Sequence, residues 1–250
     1  MTPHGEDELL RAGDVLAHRT ALQEGPRGAA PQGVILCHQA RWLGTVVSRW
    51  RSRRVGGFDA DIRLLRSTNG RVAVVTRFGV GAPAAVALME ELVAFGVRRF
   101  VSVGLAGGLR AGQQPGDLVV AERALREEGT SGHYIPPGAA ADASAPLTHR
   151  LGEALKLAGH SYVLGAICTT DAPYRTTRAV VERWSRAGGI AVEMEAAGLF
   201  AAASRRRVDV AAACCLADTL TPQGWRLAFD ERAVATGLRS LFDAATEALQ

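Results

Sequence analysis

The 250-residue sequence predicts an α/β fold: one domain with a mixed, mainly parallel central β-sheet flanked by helices. Three observations predict it. Short continuous apolar runs such as Gly33–Cys37 (GVILC) and Arg98–Gly104 (RRFVSVG) have the character of strands buried on both faces. These runs alternate with segments of helical spacing, the order that builds a parallel sheet covered by helices. An Asn69–Gly70 pair between two apolar runs is a hairpin signal, which adds antiparallel strands early in the chain.

Residues 1–31 are polar and rich in Gly, Pro and charge, and read as an extension before the domain at 32–250. GVILC is the first strand, and Trp42, Val46, Val47 and Trp50 give residues 39–51 helical spacing. Asp61–Leu65 and Arg71–Thr76 form the arms of the hairpin. A loop, Phe78–Pro83 (FGVGAP), leads into a helix over Ala84–Phe95. Strand Arg98–Gly104 ends in a second glycine-rich stretch, Gly104–Gly108 (GLAGG). A strand over Asp117–Ala121 precedes a polar, proline-bearing loop at 122–145. A helix at Pro146–Ala158, a strand at Val163–Thr170 and a helix at 176–187 follow. The short strand IAVEM runs into a helix at 195–206. Asp209–Ala217 is strand-like, and a helix over about 230–249 is amphipathic through Val234, Leu238, Leu241, Phe242 and Leu249.

Composition excludes several classes of function. No apolar stretch approaches the ~18 residues that span a membrane, and the acidic N-terminus has no apolar signal region, so a cytoplasmic location is expected. Lys156 is the only lysine, and a net charge of +4 over the whole chain is a weak signal for nucleic acid. Cys37, Cys168, Cys214 and Cys215 form no C-x-x-C pair and sit in apolar surroundings, which reads as buried free thiols and no metal site. Cys214 and Cys215, adjacent on a strand, would face opposite sides.

Three segments carry candidate chemistry, because ligands of open α/β sheets bind at the carboxyl ends of strands. FGVGAP and GLAGG offer positive φ and backbone N–H groups to an anion, but such turns also serve merely as tight connections. Neither has a P-loop lysine or GxGxxG spacing. In Ala191–Phe200 (AVEMEAAGLF), Glu193 and Glu195 bracket Met194 where a strand becomes a helix. An acid at a helix start is commonplace. The alternative is a carboxylate that accepts two hydrogen bonds from a cis-diol, with the methionine packed on the sugar.

The stretch VAVVTRFGVGAPAAVALMEELVAFGVRRFVSVGLAGGL, then PGDLVV, then VEMEAAGLFAAASRRRVDVAAACCLADTL, resembles the nucleoside phosphorylase superfamily, which includes purine nucleoside and uridine phosphorylases. EEGTSGHYIPP (127–137) and TTDAPYR (169–175) are similar to bacterial and archaeal uridine-phosphorylase-like members. The resemblance runs from about residue 33 to the C-terminus. It implies cleavage of a nucleoside's N-glycosidic bond by phosphate, giving free base and (deoxy)ribose 1-phosphate. It implies Glu195 on the ribose hydroxyls, Met194 against the sugar, Glu193 as companion acid, and His133 with Tyr134 near the ribose or a subunit boundary. Asp218 falls where the family protonates N7 of a departing purine, whereas an Asp-Thr pair at a strand end is also an ordinary turn. Gly107, Tyr174, Arg175 and Arg178 fall at the base, and the residues that read uracil are not recognisable.

The phosphate site departs most from the family pattern. CHQARW places His38 near the family's glycine and Arg41 near its arginine. A second arginine, from a neighbouring subunit, would be Arg53 or Arg54; the same run also reads as a solvated basic helix end. Ser102 stands where an arginine is frequent, and Leu105 replaces a serine or threonine. Backbone amides of Gly79, Gly81, Ala106 and Gly107 remain as donors. His4 falls near a histidine that some members lend to a neighbour, although the longer N-terminal stretch argues against that role. The alternatives are a water-using nucleosidase, for which His38 would be the base but has no orienting partner in the sequence, and a non-catalytic nucleoside- or nucleic-acid-binding module. The resemblance further implies a homo-oligomer, with a hexamer built as a trimer of dimers, and no cofactor beyond phosphate as co-substrate.

Overall fold

The structure is a computed structural model that describes residues 8–39, 52–221, 223–226 and 231–250, with only the backbone of Glu231. Strand β1 (Gly33–Cys37) is buried throughout and pairs in parallel with β4 (Val72–Thr76) and β5 (Arg99–Gly108). Alternation along β1 sorts its side chains. Val34 and Leu36 enter the core beneath helices α2 (Ala82–Phe95) and α5 (Ala196–Arg206). Ile35 and Cys37 enter the core beneath α3 (Ala145–Leu157) and α6 (Glu231–Ala248). Because both faces are covered by helices, GVILC has no polar alternation.

The remaining strands are β2 (Ser52–Val55), β3 (Asp61–Leu65), β6 (Leu118–Glu127), β7 (Ala141–Asp142), β8 (Val163–Thr170), β9 (Gly189–Glu193), β10 (Asp209–Thr221) and β11 (Gly224–Arg226). The longest pairings, β5 with β10 and β6 with β8, are parallel, while β2, β3 and β4 form an antiparallel margin. β5 also meets β9, and β9 leads through β8 and β6 back to β10. The sheet therefore closes on itself through β5, β10, β6, β8 and β9. Helix α4 (Arg178–Arg186) packs Val181 and Trp184 on this ring through Leu109 and Cys168. The ring brings the carboxyl end of β9 back beside β5, and that return positions the site.

Most of the predicted elements are present, and the differences have physical causes. GLAGG is not a loop after a strand but the second half of β5, in register with β10 from Gly104 to Gly108. Gly107 and Gly108 lack positive φ; they are small because a Cβ on Gly107 would stand 2.7 Å from Asp218 Oδ1, and one on Gly108 2.7 Å from Gln113 Oε1. Close approach, rather than turn formation, requires glycine there. β10 likewise continues past Ala217, so Asp218 lies within a strand. The segment expected as a loop at 122–145 contains the end of β6, a 3-10 turn and β7. Arg53 and Arg54, read as a helix end, are exposed residues of β2. The helix expected at 39–51 falls almost wholly on residues 40–51, outside the described residues. Within residues 1–31 lies a helix, α1 (Ala12–Ala21), with Leu16 buried. Its Arg19 bonds Glu91 of α2 at 3.2 Å. Cys214 and Cys215 enter opposite cores, as strand alternation predicts.

Helices α2 and α5 approach each other through Gly198, where a Cβ would lie 2.8 Å from Ala82 Cβ and 3.2 Å from Val86 Cγ2. Ala82 has no flexible end to yield, so a larger residue forces the helices apart. Gly198→Val is expected to lower stability by about 1–3 kcal/mol in urea unfolding.

Candidate active site

The start of α5 organises the site. The first N–H groups of a helix have no partner within it, and here they are buried. Glu193 Oε2 accepts the N–H groups of Glu195 (2.7 Å) and Ala196 (2.8 Å). Thr169 Oγ1, at the end of β8, accepts the N–H of Ala197 (2.9 Å) and donates to Glu193 Oε1 (2.5 Å). Glu193 and Thr169 together therefore cap α5 from two neighbouring strands. Burial pushes the Glu193 carboxyl up to about 8, with the Glu195 charge adding to it, against the lowering effect of these three donors.

Capping fixes the backbone of Glu195 and aims its side chain across the sheet. Its Oε1 accepts the N–H of Gly81 at 2.8 Å, and its Oε2 the N–H of Met194 at 3.3 Å. Gly81 is brought there by the turn after β4, in which Arg77 (φ 60°), Gly79 (φ 98°) and Gly81 (φ 92°) all have positive φ. The predicted role of this loop is thus modified: the Gly81 amide, expected as a donor to phosphate, holds a carboxylate. Met194 beside it is half-buried. Glu195 thus takes two backbone donors beside the N-terminus of α5.

His38 follows β1 and is buried against the same carboxylate. Its Nε2 lies 2.9 Å from Ser102 Oγ, and its Nδ1 lies 3.7 Å from Glu195 Oε1 without a hydrogen-bond partner. Phe78 packs edge-on against the ring at 5.1 Å between centroids. Burial lowers the imidazole pKa, and the nearby Glu195 charge partly raises it again. An orienting partner for His38, absent from any local motif, thus comes from Ser102, 64 residues away.

Asp218 stands on the other side of Gly107. A one-residue shift in β10 between Leu216 and Asp218 places Asp218 opposite Gly107, whose other neighbour is Val192 of β9. The Asp218 carboxyl is half-buried, which raises its pKa, while the indole N–H of Trp225 donates to Oδ2 at 2.6 Å and pulls it down. Trp225 was not among the expected site residues; an aromatic in a weakly patterned tail gives no periodic signal, and only the β10–β11 pairing brings it to Asp218.

Several expected residues are placed elsewhere. Leu105 is partly buried and packs against the core beneath α3 and α6, on the opposite side of β5 from Ala106. Tyr174, Arg175 and Arg178 are exposed, on a 3-10 turn and at the first residue of α4. His133 is exposed, and Tyr134 is drawn away towards Glu90, its pKa raised by burial and by that carboxylate. Gly107 is bracketed by β10 and β9, whereas Ala106 pairs with β10 alone. Arg54 is exposed, 3.8 Å from Asp61. Arg41 and His4 lie outside the described residues.

The Glu193 cap gives a pH test. A carboxyl with a folded value of about 8 against an ordinary 4.5 makes the folded chain hold more protons between those values. Its contribution to stability is then greatest at low pH and declines as pH rises towards 8. Thermal or urea unfolding from pH 5 to 9 should show Glu193→Gln losing less stability over that range than the wild type. Glu193→Ala, which leaves the α5 donors unsatisfied, should cost about 1–3 kcal/mol at pH 5, and that cost should shrink as pH rises towards 8.

Comparison with known proteins identifies the family of the chain. The model of the Phosphorylase superfamily matches residues 53–249. The chain is 33% identical over 208 residues to the guanosine phosphorylase of Halorubrum lacusprofundi, covering 82% of this chain and 80% of that protein. It is 31% identical over 168 residues to the uridine phosphorylase of Thermococcus kodakarensis, covering 64% and 61% respectively. The crystal structure of uridine phosphorylase from Vibrio fischeri ES114 superposes with a TM-score of 0.76 over 88% of this chain and 92% of that one, at 23% identity, and shows the same fold. A superfamily match across most of the sequence, with a relative 33% identical over 82% of the chain, makes this chain a member of the phosphorylase superfamily.

Proposed function

We propose that the protein is a nucleoside phosphorylase acting on a ribonucleoside whose base leaves as a protonated purine. The observation that carries this reading is the placement of Asp218 over Gly107, beside the strand that runs into Glu195. That strand, β9, pairs with Gly107 on its other side. Glu195 would accept the ribose 2′- and 3′-hydroxyls with its remaining lone pairs and stabilise positive charge as the sugar becomes cation-like. Met194 would pack on the sugar. A phosphate oxygen attacks C1′, the C1′–N bond breaks, and its electron pair passes to the base, which takes the Asp218 proton at a ring nitrogen. A carboxyl whose pKa is raised by burial holds that proton closer to neutral pH than an exposed aspartate.

Phosphate would enter beside His38 and Ser102, with Arg41 and a neighbour's Arg54 supplying charge. That arrangement implies a homo-oligomer, proposed as a hexamer, in which exposed Tyr174, Arg175 and Arg178 come to face a base or a subunit boundary. The reaction needs phosphate as co-substrate and no organic cofactor. Among the described residues no helix is long and apolar enough to cross a membrane, which suits the proposed cytoplasmic setting. A second reading, hydrolysis by water, is favoured by one observation: Ser102 orients His38 at 2.9 Å, as a general base requires.

The test is chromatography of adenosine, inosine, guanosine, uridine, thymidine and methylthioadenosine after incubation with and without phosphate. Phosphate-dependent release of a purine with ribose 1-phosphate is the expected result; equal release without phosphate establishes hydrolysis and makes His38→Ala inactive. Glu195→Ala should lower kcat/KM about 10²–10³-fold on every ribonucleoside. Asp218→Asn should lower purine cleavage about 10²–10⁴-fold and uridine cleavage far less.

A further inference from the structure

The residue that the site reading leaves unused is Trp225. It lies on β11, opposite Leu220 of β10, with 63% of its surface exposed. Its one polar atom is nevertheless committed, since Nε1–H donates to Asp218 Oδ2 at 2.6 Å. The other carboxyl oxygen, Oδ1, lies against Gly107, where a Cβ would stand 2.7 Å away. The two oxygens are therefore distinguished: Oδ2 is tied to the indole, and Oδ1 looks over Gly107 towards β9. The indole is thus held by its N–H edge to a half-buried acid while most of the side chain stays exposed beside that acid.

We propose that Trp225 positions Asp218 and serves as the stacking platform for the leaving base, so that the site takes planar, bicyclic bases that accept a proton as they depart. This rests on the reading of Asp218 as the leaving-group acid. The indole bond directs the proton to Oδ1, the oxygen that faces Gly107. As that proton moves to the base, the carboxyl gains negative charge, and a hydrogen bond to a charged acceptor is roughly twice as strong as one to a neutral acceptor. The contact is thus worth more in the transition state than before it, which is the condition for raising kcat. The ring faces act separately, by stacking, and their contribution falls on binding.

The experiment compares wild type, Trp225→Phe, Trp225→His, Trp225→Ala and Asp218→Asn on inosine and on 7-methylinosine, whose cationic base leaves without a proton. Trp225→Phe keeps a ring and loses the donor. It should lower kcat on inosine about 10-fold, the size of one hydrogen bond to a charged group, with KM nearly unchanged. Its rate should also persist to higher pH, because removing the donor raises the Asp218 pKa and activity is lost only as pH rises through that value. Cleavage of 7-methylinosine should be spared in both Trp225→Phe and Asp218→Asn. Trp225→His restores a donor and part of the inosine rate. Trp225→Ala should raise KM on both substrates about 10-fold and abolish the quenching of tryptophan fluorescence by bound purine.

Unchanged kcat and pH profile on inosine in Trp225→Phe, with Asp218→Asn impaired, overturns the proposal and leaves Asp218 in place. Normal inosine cleavage by Asp218→Asn overturns both. An equal loss on the two substrates in Trp225→Phe shows a merely structural residue and also overturns it; thermal melting of each variant separates loss of fold from loss of rate.

Discussion

The buried N-terminus of α5 is the constraint on which the rest of the site depends. Three backbone N–H groups there are satisfied by Glu193 and Thr169, from the ends of two different strands. Satisfying them locks α5 to β8 and β9, and only then does Glu195 have a fixed origin from which to reach the Gly81 amide. A single capping network therefore spans α5, β8 and β9, while Glu195 adds the turn after β4. Removing one member leaves donors unpaired in a region without water access, which is why the network behaves as a unit.

The closed ring of β5, β10, β6, β8 and β9 supplies the second requirement, which is proximity. β5 pairs with both β9 and β10, the strands that carry Glu193 and Asp218. Closure sets β9 and β10 on opposite sides of Gly107, and the missing side chain at that position allows the Asp218 carboxyl to close over the backbone. Glycine, positioned by packing rather than by φ, here controls where an acid can stand.

Electrostatics assign the carboxyl groups different states in one small region. Glu195 accepts two backbone N–H groups, from Gly81 and Met194. Glu193 is pushed up by burial and by Glu195, and is consumed by capping. Asp218 is raised by partial burial and restrained by Trp225. Under the proposed function, separating acids in this way would let one hold a sugar while another carries a proton. His38 joins the cluster as a buried imidazole, pulled towards neutrality by burial, between a hydroxyl and a carboxylate.

The sequence by itself determined the α/β class, the strands and helices with strong periodicity, and the VEMEA segment as a carboxylate pair at a strand-to-helix junction. These are local properties: apolar runs buried on both faces and a 3.6-residue repeat are written in adjacent residues. GLAGG misled as a loop because glycine signals both turns and close packing, and the neighbour that requires it, Asp218, lies more than a hundred residues away. Strand alternation sets Leu105 against the core beneath α3 and α6, on the face opposite Ala106. His38 had no visible partner, because Ser102 reaches it only across paired strands. Trp225 had no signal at all, and it acquires one from a hairpin that sets it against Asp218. Only the tertiary structure decided these contacts, since strand pairing and ring closure join residues whose separation in sequence carries no periodic trace.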